Sequence, residues 1–306
     1  MRRLLVTGRY GFVGTTLARM VETDAALAEW SLAEVPASLR ITEPDEVEAL
    51  IATAAPDAVI HLAARSLVPE SFRDPASTIH VNLLGTLYLL QALKRHSFGG
   101  RMLFVGTGDV YGSVPESELP ISEDTLPAPR NPYAVSKLAA EALCRQWAYT
   151  EGFEIVLARP FNHIGPGQSP TFAISDFAQQ IAEIRLGRRA PVLAVGDIDV
   201  ARDFTDVRDV VKSYFALLER GASAETYNVC SGIERTVRSL IERMATIAGL
   251  DVAIEQDPAR LRKAEQRRVR GDATKIFEAT GWCASTPIDE SLKAILDGWE
   301  GKLVNG

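Results

Sequence analysis

Short apolar runs alternate with amphipathic stretches through the first half of the chain. Leu4 to Thr7, Asp57 to Ala64, Arg101 to Gly106 and Phe153 to Ala158 read as buried strands, with a weaker one near Trp30 to Ala33. Helical spacing predicts helices through about Thr23, over Asp45 to Ala54, within Pro75 to His96 and within Asn131 to Glu151. The strands are continuously apolar rather than alternating, and helices separate them. That pattern predicts a parallel sheet covered on both faces, an α/β doubly wound sheet of the Rossmann type. After Arg159 the elements shorten and loops such as Ile164-Gly165-Pro166-Gly167-Gln168-Ser169-Pro170 intervene. The change predicts a dinucleotide-binding domain over 1–160, with segments near 204–230 returning to its sheet. A smaller α/β substrate lobe is expected over 161–306.

The junction of the first strand and helix carries Gly8, Gly11 and Gly14, spaced Gly-x-x-Gly-x-x-Gly. The first glycine permits the turn, the second lets backbone approach a pyrophosphate, and the third lets helix and strand pack closely. Phe12 and Val13 open the helix whose N–H groups would face the phosphates. An acid about 20 residues further on is expected to meet the ribose of NAD, and Glu34 lies there. Arg9 and Arg40 are candidate partners for a 2′-phosphate. NADPH and NADH therefore both stay open.

Tyr133-Ala134-Val135-Ser136-Lys137 places a phenol and an ammonium at i and i+4 of one helix face. Such a pair predicts a proton donor whose pKa is lowered toward neutrality. A proton donor and a hydride carrier in one chain point to redox chemistry at a carbonyl.

The formal net charge of −7 argues against duplex nucleic acid as a partner. Cys144, Cys230 and Cys283 are scattered, the four histidines lack metal spacing, and no apolar run is long enough for a membrane span. A reduced, cytoplasmic protein without a resident metal is the expectation.

Thr107 stands at the end of the Arg101 to Gly106 strand. Together, Gly8, Gly11, Gly14, Thr107, Tyr133 and Lys137 resemble the extended short-chain dehydrogenase/reductase superfamily, and the resemblance spans essentially the whole chain. It implies that Tyr133 is the general acid/base, and that Lys137 lowers its pKa and binds the nicotinamide ribose. Thr107 would hydrogen-bond the reacting oxygen. Leu62, Ala63 and Ala64 would line the cofactor, Asn82 would make a structural hydrogen bond, and Asn162 would contact a substrate diphosphate.

Three chemistries share that scaffold: 4-epimerisation, 4,6-dehydration and simple 4-reduction. Dehydratases of the superfamily carry an acid or serine and then a glutamate after the threonine. Here Gly108 and Asp109 follow Thr107, which disfavours dehydration. Asp109 is one methylene short of that glutamate and is placed with the substrate contacts, a structural role being the alternative. The runs Phe161 to Ser169, Val200 to Asp209 and Tyr227 to Gly232 resemble the branch that reduces GDP-4-keto-6-deoxy-D-mannose. The resemblance implies a GDP-sugar partner, reduction at C4 to GDP-D-rhamnose, and an epimerase or dehydratase as the alternative. Arg202 would bind the diphosphate, Arg262 the nucleotide and Glu265 a ribose hydroxyl. Lys263 replaces the branch's proline. Asp176 and Gln179 are candidates to face guanine, His163 to shape the substrate loop, and His61 to sit satisfied in the core. A homodimer through a four-helix interface is implied, with Leu83, Leu87, Leu90, Leu138 and Leu143 compatible with it.

Overall fold

The computed structural model describes residues 1–260 and 266–305. Arg262, Lys263 and Glu265 lie outside the described residues. The strands are β1 Arg2–Thr7, β2 Trp30–Leu32, β3 Ala58–His61, β4 Arg101–Val105, β5 Glu154–Pro160, β6 Asn162–Ile164, β7 Val192–Val195, β8 Ala201–Asp206, β9 Thr226–Val229, β10 Glu234–Thr236 and β11 Ala253–Gln256. The helices are α1 Phe12–Thr23, α2 Pro44–Ala54, α3 Val68–Arg73, α4 Pro75–Ile79, α5 Gly85–Arg95, α6 Pro132–Glu151, α7 Ala173–Arg185, α8 Val207–Arg220, α9 Val237–Ala248, α10 Thr274–Thr280 and α11 Ile288–Asn305.

Six parallel strands form the main sheet in the order β2-β1-β3-β4-β5-β9. One face buries Leu17 and Met20 of α1, Val210 and Tyr214 of α8, and Ile276 of α10. The other buries Val47 and Leu50 of α2, Leu89 and Leu93 of α5, and Ala140 and Trp147 of α6. The chain steps outward from β1 to β2 and then returns to β3 on the opposite side of β1. That reversal opens a crevice at the carboxyl ends of the strands. No strand forms over 33–43, so the sheet ends at β2. Pro36 lies in this stretch and lacks the N–H a further ladder would use, and its carbonyl instead closes a turn with the Leu39 N–H.

The second core lies under α7, α9 and α11, with Ile181, Leu240, Ile241, Leu292 and Trp299 buried together. Strands β10, β8 and β6 form a small mixed sheet beside it, and β7 pairs with β11. The chain passes back to the main sheet at α8 and β9, and again at α10. Asp203 of β8 is wholly buried and holds the turn after β9. Its carboxylate accepts from the Ser231 N–H and hydroxyl at 2.8 and 2.6 Å and from the Gly232 N–H at 2.9 Å. The Gly271 N–H adds a fourth bond at 3.2 Å.

The expected helix over 75–96 is interrupted. A π-turn over His80–Leu84 separates α4 from α5 and carries Asn82. Leu90 is wholly buried inside the monomer, which removes it from the expected helical interface. Leu83, Leu87 and Leu143 are only partly buried against the same core.

Helix α6 starts with Asn131 accepting the Ala134 N–H at 2.7 Å, has Pro132 in its first turn and stops at Gly152 in the left-handed region. Tyr133, Lys137 and Glu141 follow each other at i+4 spacing along one face. Glu141 is buried against β5, where Arg159 donates to it at 2.9 and 2.7 Å. The Arg159 guanidinium also lies 4.8 Å from the Tyr111 ring centre. This pair sets the height of α6 on the sheet. Glu141→Ala would leave a buried, unpaired arginine and should cost roughly 3–5 kcal/mol. Urea unfolding measures the loss, and a loss under about 1 kcal/mol, the range of surface pairs, would refute the anchoring role.

Candidate active site

The glycine loop is built by contact. Gly8 has φ +74°, and a Cβ there would lie 2.8 Å from the Ala63 nitrogen. A Cβ on Gly14 would lie 2.4 Å from the Gly8 carbonyl oxygen. Strand end, turn and helix start therefore close on one another only with glycine at these positions. Gly11 caps α1 without any side-chain hydrogen bond, so the first N–H groups of the helix at Phe12 and Val13 have no side-chain acceptor. Leu62, Ala63 and Ala64 run directly past Gly8.

Beneath the loop lies a chain of hydrogen bonds. The Ala63 N–H donates to the Thr7 hydroxyl at 3.3 Å, and that hydroxyl meets Nδ1 of His61 at 2.6 Å. Nε2 of His61 meets the Thr86 hydroxyl at 3.0 Å, and Thr86 donates to the Asn82 carbonyl at 2.7 Å. Since the Thr86 proton is used, His61 donates through Nε2 and accepts at Nδ1. Burial, aided by Lys137, lowers the His61 pKa to about 3, so the ring is neutral. It is the satisfied core histidine expected from its position. The Asn82 side chain accepts the Arg65 N–H at 2.8 Å and donates to the Ser136 hydroxyl at 2.8 Å. Ser136 donates to the Tyr133 carbonyl at 2.7 Å. The glycine loop and the first turn of α6 are thus joined through side chains.

Thr107 caps the turn after β4, its hydroxyl accepting the Asp109 N–H at 3.2 Å. Its hydroxyl also lies beside the Tyr133 phenol and favours its ionisation. Burial first, and the Asp109 carboxylate second, push the phenol up, while Thr107 opposes them. The expected depression by Lys137 is absent in this structure. The Lys137 ammonium lies 4.7 Å from the Phe104 ring centre. Desolvation lowers Lys137 itself to about 8, against the pull of Cys144 and Glu141. Among the described residues its Nζ takes part in no hydrogen bond, which leaves its donors for a ligand.

Asp109 faces the same cleft, and desolvation raises its carboxyl against the attraction of Arg202. Gly108 packs on Phe161, where a Cβ would come within 3.1 Å of the ring. Packing therefore disfavours an acid at this position. Arg202 of β8 is braced by backbone carbonyls, at 2.8 Å to Ala201, 3.2 Å to Arg267 and 3.0 Å to Gln266. Asn162 and Arg202 line a cavity of about 540 Å³ that extends beneath α7. His163 also lines it and stacks on Phe12, with ring centres 6.0 Å apart and planes 3° apart. Burial lowers its pKa, and Nδ1 meets the Phe161 carbonyl at 3.0 Å.

At the end of β2, Glu34 is exposed and the two arginines differ. Arg40 is turned away, fixed to Glu46 through Nε at 2.8 Å and through its terminal nitrogen. Arg9 reaches the Ala33 carbonyl at 3.3 Å, just past the end of β2. Gln179 donates to Glu183 at 2.9 Å and does not line the cavity, whereas Asp176 does. Arg260, which no sequence spacing singles out, meets Asp176 at the cavity wall. The site contains no metal cluster: among the described residues no three His, Cys, Asp or Glu side chains are grouped to hold an ion.

A family model described as GDP-mannose 4,6 dehydratase matches residues 37–295. The chain is 53% identical over 302 residues to GDP-6-deoxy-D-mannose reductase of Pseudomonas aeruginosa, covering 99% of this chain and 98% of the relative. It is 27% identical to GDP-6-deoxy-D-talose 4-dehydrogenase of Aggregatibacter actinomycetemcomitans, covering 91% of each. The structure of RMD from Pseudomonas aeruginosa complexed with NADPH superposes with a TM-score of 0.94 at 53% identity, covering 99% of this chain and 100% of that one. UDP-glucose 4-epimerase of Thermotoga maritima, with UDP-glucose, superposes with a TM-score of 0.86 at 25% identity, covering 99% and 100%.

The lowered pKa of Lys137 carries a stability signature. Between about 8 and the ordinary 10.5 the unfolded chain holds a proton that folded Lys137 lacks. Stability from this group therefore rises with pH across that window. Urea unfolding of the wild type and of Lys137→Met at pH 8 to 10 should show the steeper rise in the wild type, and parallel curves would contradict the assignment.

Proposed function

The chain belongs to the GDP-mannose 4,6 dehydratase family, and within it we propose that the protein is an NADPH-dependent reductase of the C4 ketone of GDP-4-keto-6-deoxy-D-mannose, forming GDP-D-rhamnose. The observation that carries the reading is the meeting of Thr107 and Tyr133 beside the glycine cradle, with Lys137 one turn along α6. The likeness to a reductase across nearly the whole chain supports the choice over epimerase or dehydratase.

The residues fit a dinucleotide. The cradle of Gly8, Gly11 and Gly14 and the open first turn of α1 would hold its pyrophosphate. Lys137 would hold the nicotinamide ribose, and Arg9 a 2′-phosphate, which favours NADPH over NADH. Bound NADPH would supply the hydride. Tyr133 delivers its proton to the oxygen formed at C4, and its raised pKa keeps it protonated as a donor at neutral pH. Thr107 hydrogen-bonds the same oxygen, and the Lys137 cation offsets the developing charge. Asn162 and Arg202 would take the substrate diphosphate, in keeping with a braced guanidinium whose Nε takes part in no hydrogen bond among the described residues. Packing of Gly108 against Phe161 and the short side chain of Asp109 oppose elimination.

A dimer would join the faces of the α4–α5 segment and α6, where Ile79 and Val135 are 40% and 46% exposed and Leu83 and Leu87 are only partly buried. Light scattering should give twice the chain mass, and a monomer at micromolar concentration would exclude it.

The catalytic reading is tested with in-situ-made GDP-4-keto-6-deoxymannose, following NADPH and NADH oxidation separately and identifying the product by NMR. Net NADPH consumption is expected, falling roughly 10²–10⁴-fold in Tyr133→Phe. Arg9→Ala should raise KM for NADPH while leaving that for NADH nearly unchanged. Conversion of the sugar without net cofactor oxidation would favour an epimerase or dehydratase.

A further inference from the structure

Resting on the sugar-nucleotide reading above, we infer that Asp176 reads the base, its carboxylate accepting both edge donors of guanine, the N1–H and the exocyclic amine. The cavity of about 540 Å³ has a catalytic end at Asn162 and Arg202, the latter acting on Asp109. Its lining also carries Asp176, Gly196 and Arg260, and Phe177, Ile198 and Val237 supply apolar surface suited to a flat ring.

Asp176 sits in the first turn of α7 and is held in place by its neighbours. Gln180 clamps α7 to β7 by accepting the Ala194 N–H at 3.0 Å and donating to the Ala194 carbonyl at 3.2 Å. The same amide donates to Oδ2 of Asp176 at 2.9 Å. Arg260 donates to that oxygen too. Among the described residues Oδ1 takes no hydrogen bond, although it belongs to a carboxylate on the cavity wall. The Arg260 side chain is 38% exposed, so its hold on Asp176 is of the weak, solvent-screened kind, and its departure leaves Oδ2 with the Gln180 bond and room for one more donor.

Two carboxylate oxygens match two adjacent donors. Guanine presents such a pair. Uracil and thymine present one N–H between two carbonyl oxygens, which a carboxylate repels. Adenine presents a donor beside an acceptor. Hypoxanthine keeps the N1–H of guanine but lacks the amine, so inosine diphosphate isolates the contact.

Calorimetric titration of the full chain with GDP and with inosine diphosphate tests the assignment. The wild type should prefer GDP by about tenfold or more, the order of a two-point base contact. In Asp176→Ala the preference should vanish while inosine diphosphate still binds, which also shows that the variant folds. Asp176→Asn keeps the shape but sets an amide N–H against one donor, and should lose the preference likewise. Arg260→Ala should keep it. Retention of the GDP preference in both Asp176 variants, or its loss in Arg260→Ala alone, overturns the proposal. Equal binding of both nucleotides by the wild type also overturns it while leaving the reductase reading intact. Failure to bind either nucleotide refutes both.

Discussion

The structure depends on a buried histidine that stays neutral. His61 lies where β1, β3 and α5 meet, and it can donate to Thr86 and accept from Thr7 only as one tautomer. From it, hydrogen bonds run one way to the backbone beside Gly8 and the other way, through Asn82 and Ser136, to the carbonyl of Tyr133. A charged ring would have to be held without water in the core and would face the Lys137 cation. The same unionised side chain therefore supports both the glycine loop and the first turn of α6, and the Asn82 to Ser136 link alone spans 54 residues.

The two lobes meet in a similarly economical way. His163 stacks on Phe12, and a Cβ on Gly165 would run into Val207 at 2.4 Å. The loop that shapes the substrate cavity thus rests on the helices that begin the cofactor site and the α8 return. Asp203 fastens the turn after β9 to β8 from the other side. The glycine loop and the cavity are held in one frame by packing and by buried carboxylates, so Thr107, Tyr133 and the cavity keep their spacing.

Much of this was legible in the residues. The apolar runs gave strands because both faces of a parallel sheet are buried, and the glycine spacing marked the loop because no other residue fits its contacts. Thr107 and Tyr133 were legible from the strand end and the helix that carry them. Other features depend on contacts across the fold. The pairing of Glu141 with Arg159, the meeting of Asp176 with Arg260 and the stacking of His163 on Phe12 each join distant segments, and no local spacing encodes them. The i and i+4 spacing of Tyr133 and Lys137 suggested a lowered phenol pKa. Spacing fixes the shared face but not the burial of the phenol or the nearby Asp109 carboxylate, and these push its pKa up. Arg9 and Arg40 looked equivalent as cations, and the pairing of Arg40 with Glu46 separates them.

The π-turn over His80–Leu84 has a consequence for inheritance. Its Gly85 N–H bonds back to the His80 carbonyl, so this stretch holds one residue more than an ordinary helical turn. Removing that residue would restore a regular helix and rotate everything before it by about 100°, one step of a 3.6-residue turn. Asn82 would then leave Arg65 and Ser136. A single-codon deletion here would be far more damaging than most single substitutions on the same helix. The length of this segment, and not only its composition, is therefore part of what the fold specifies.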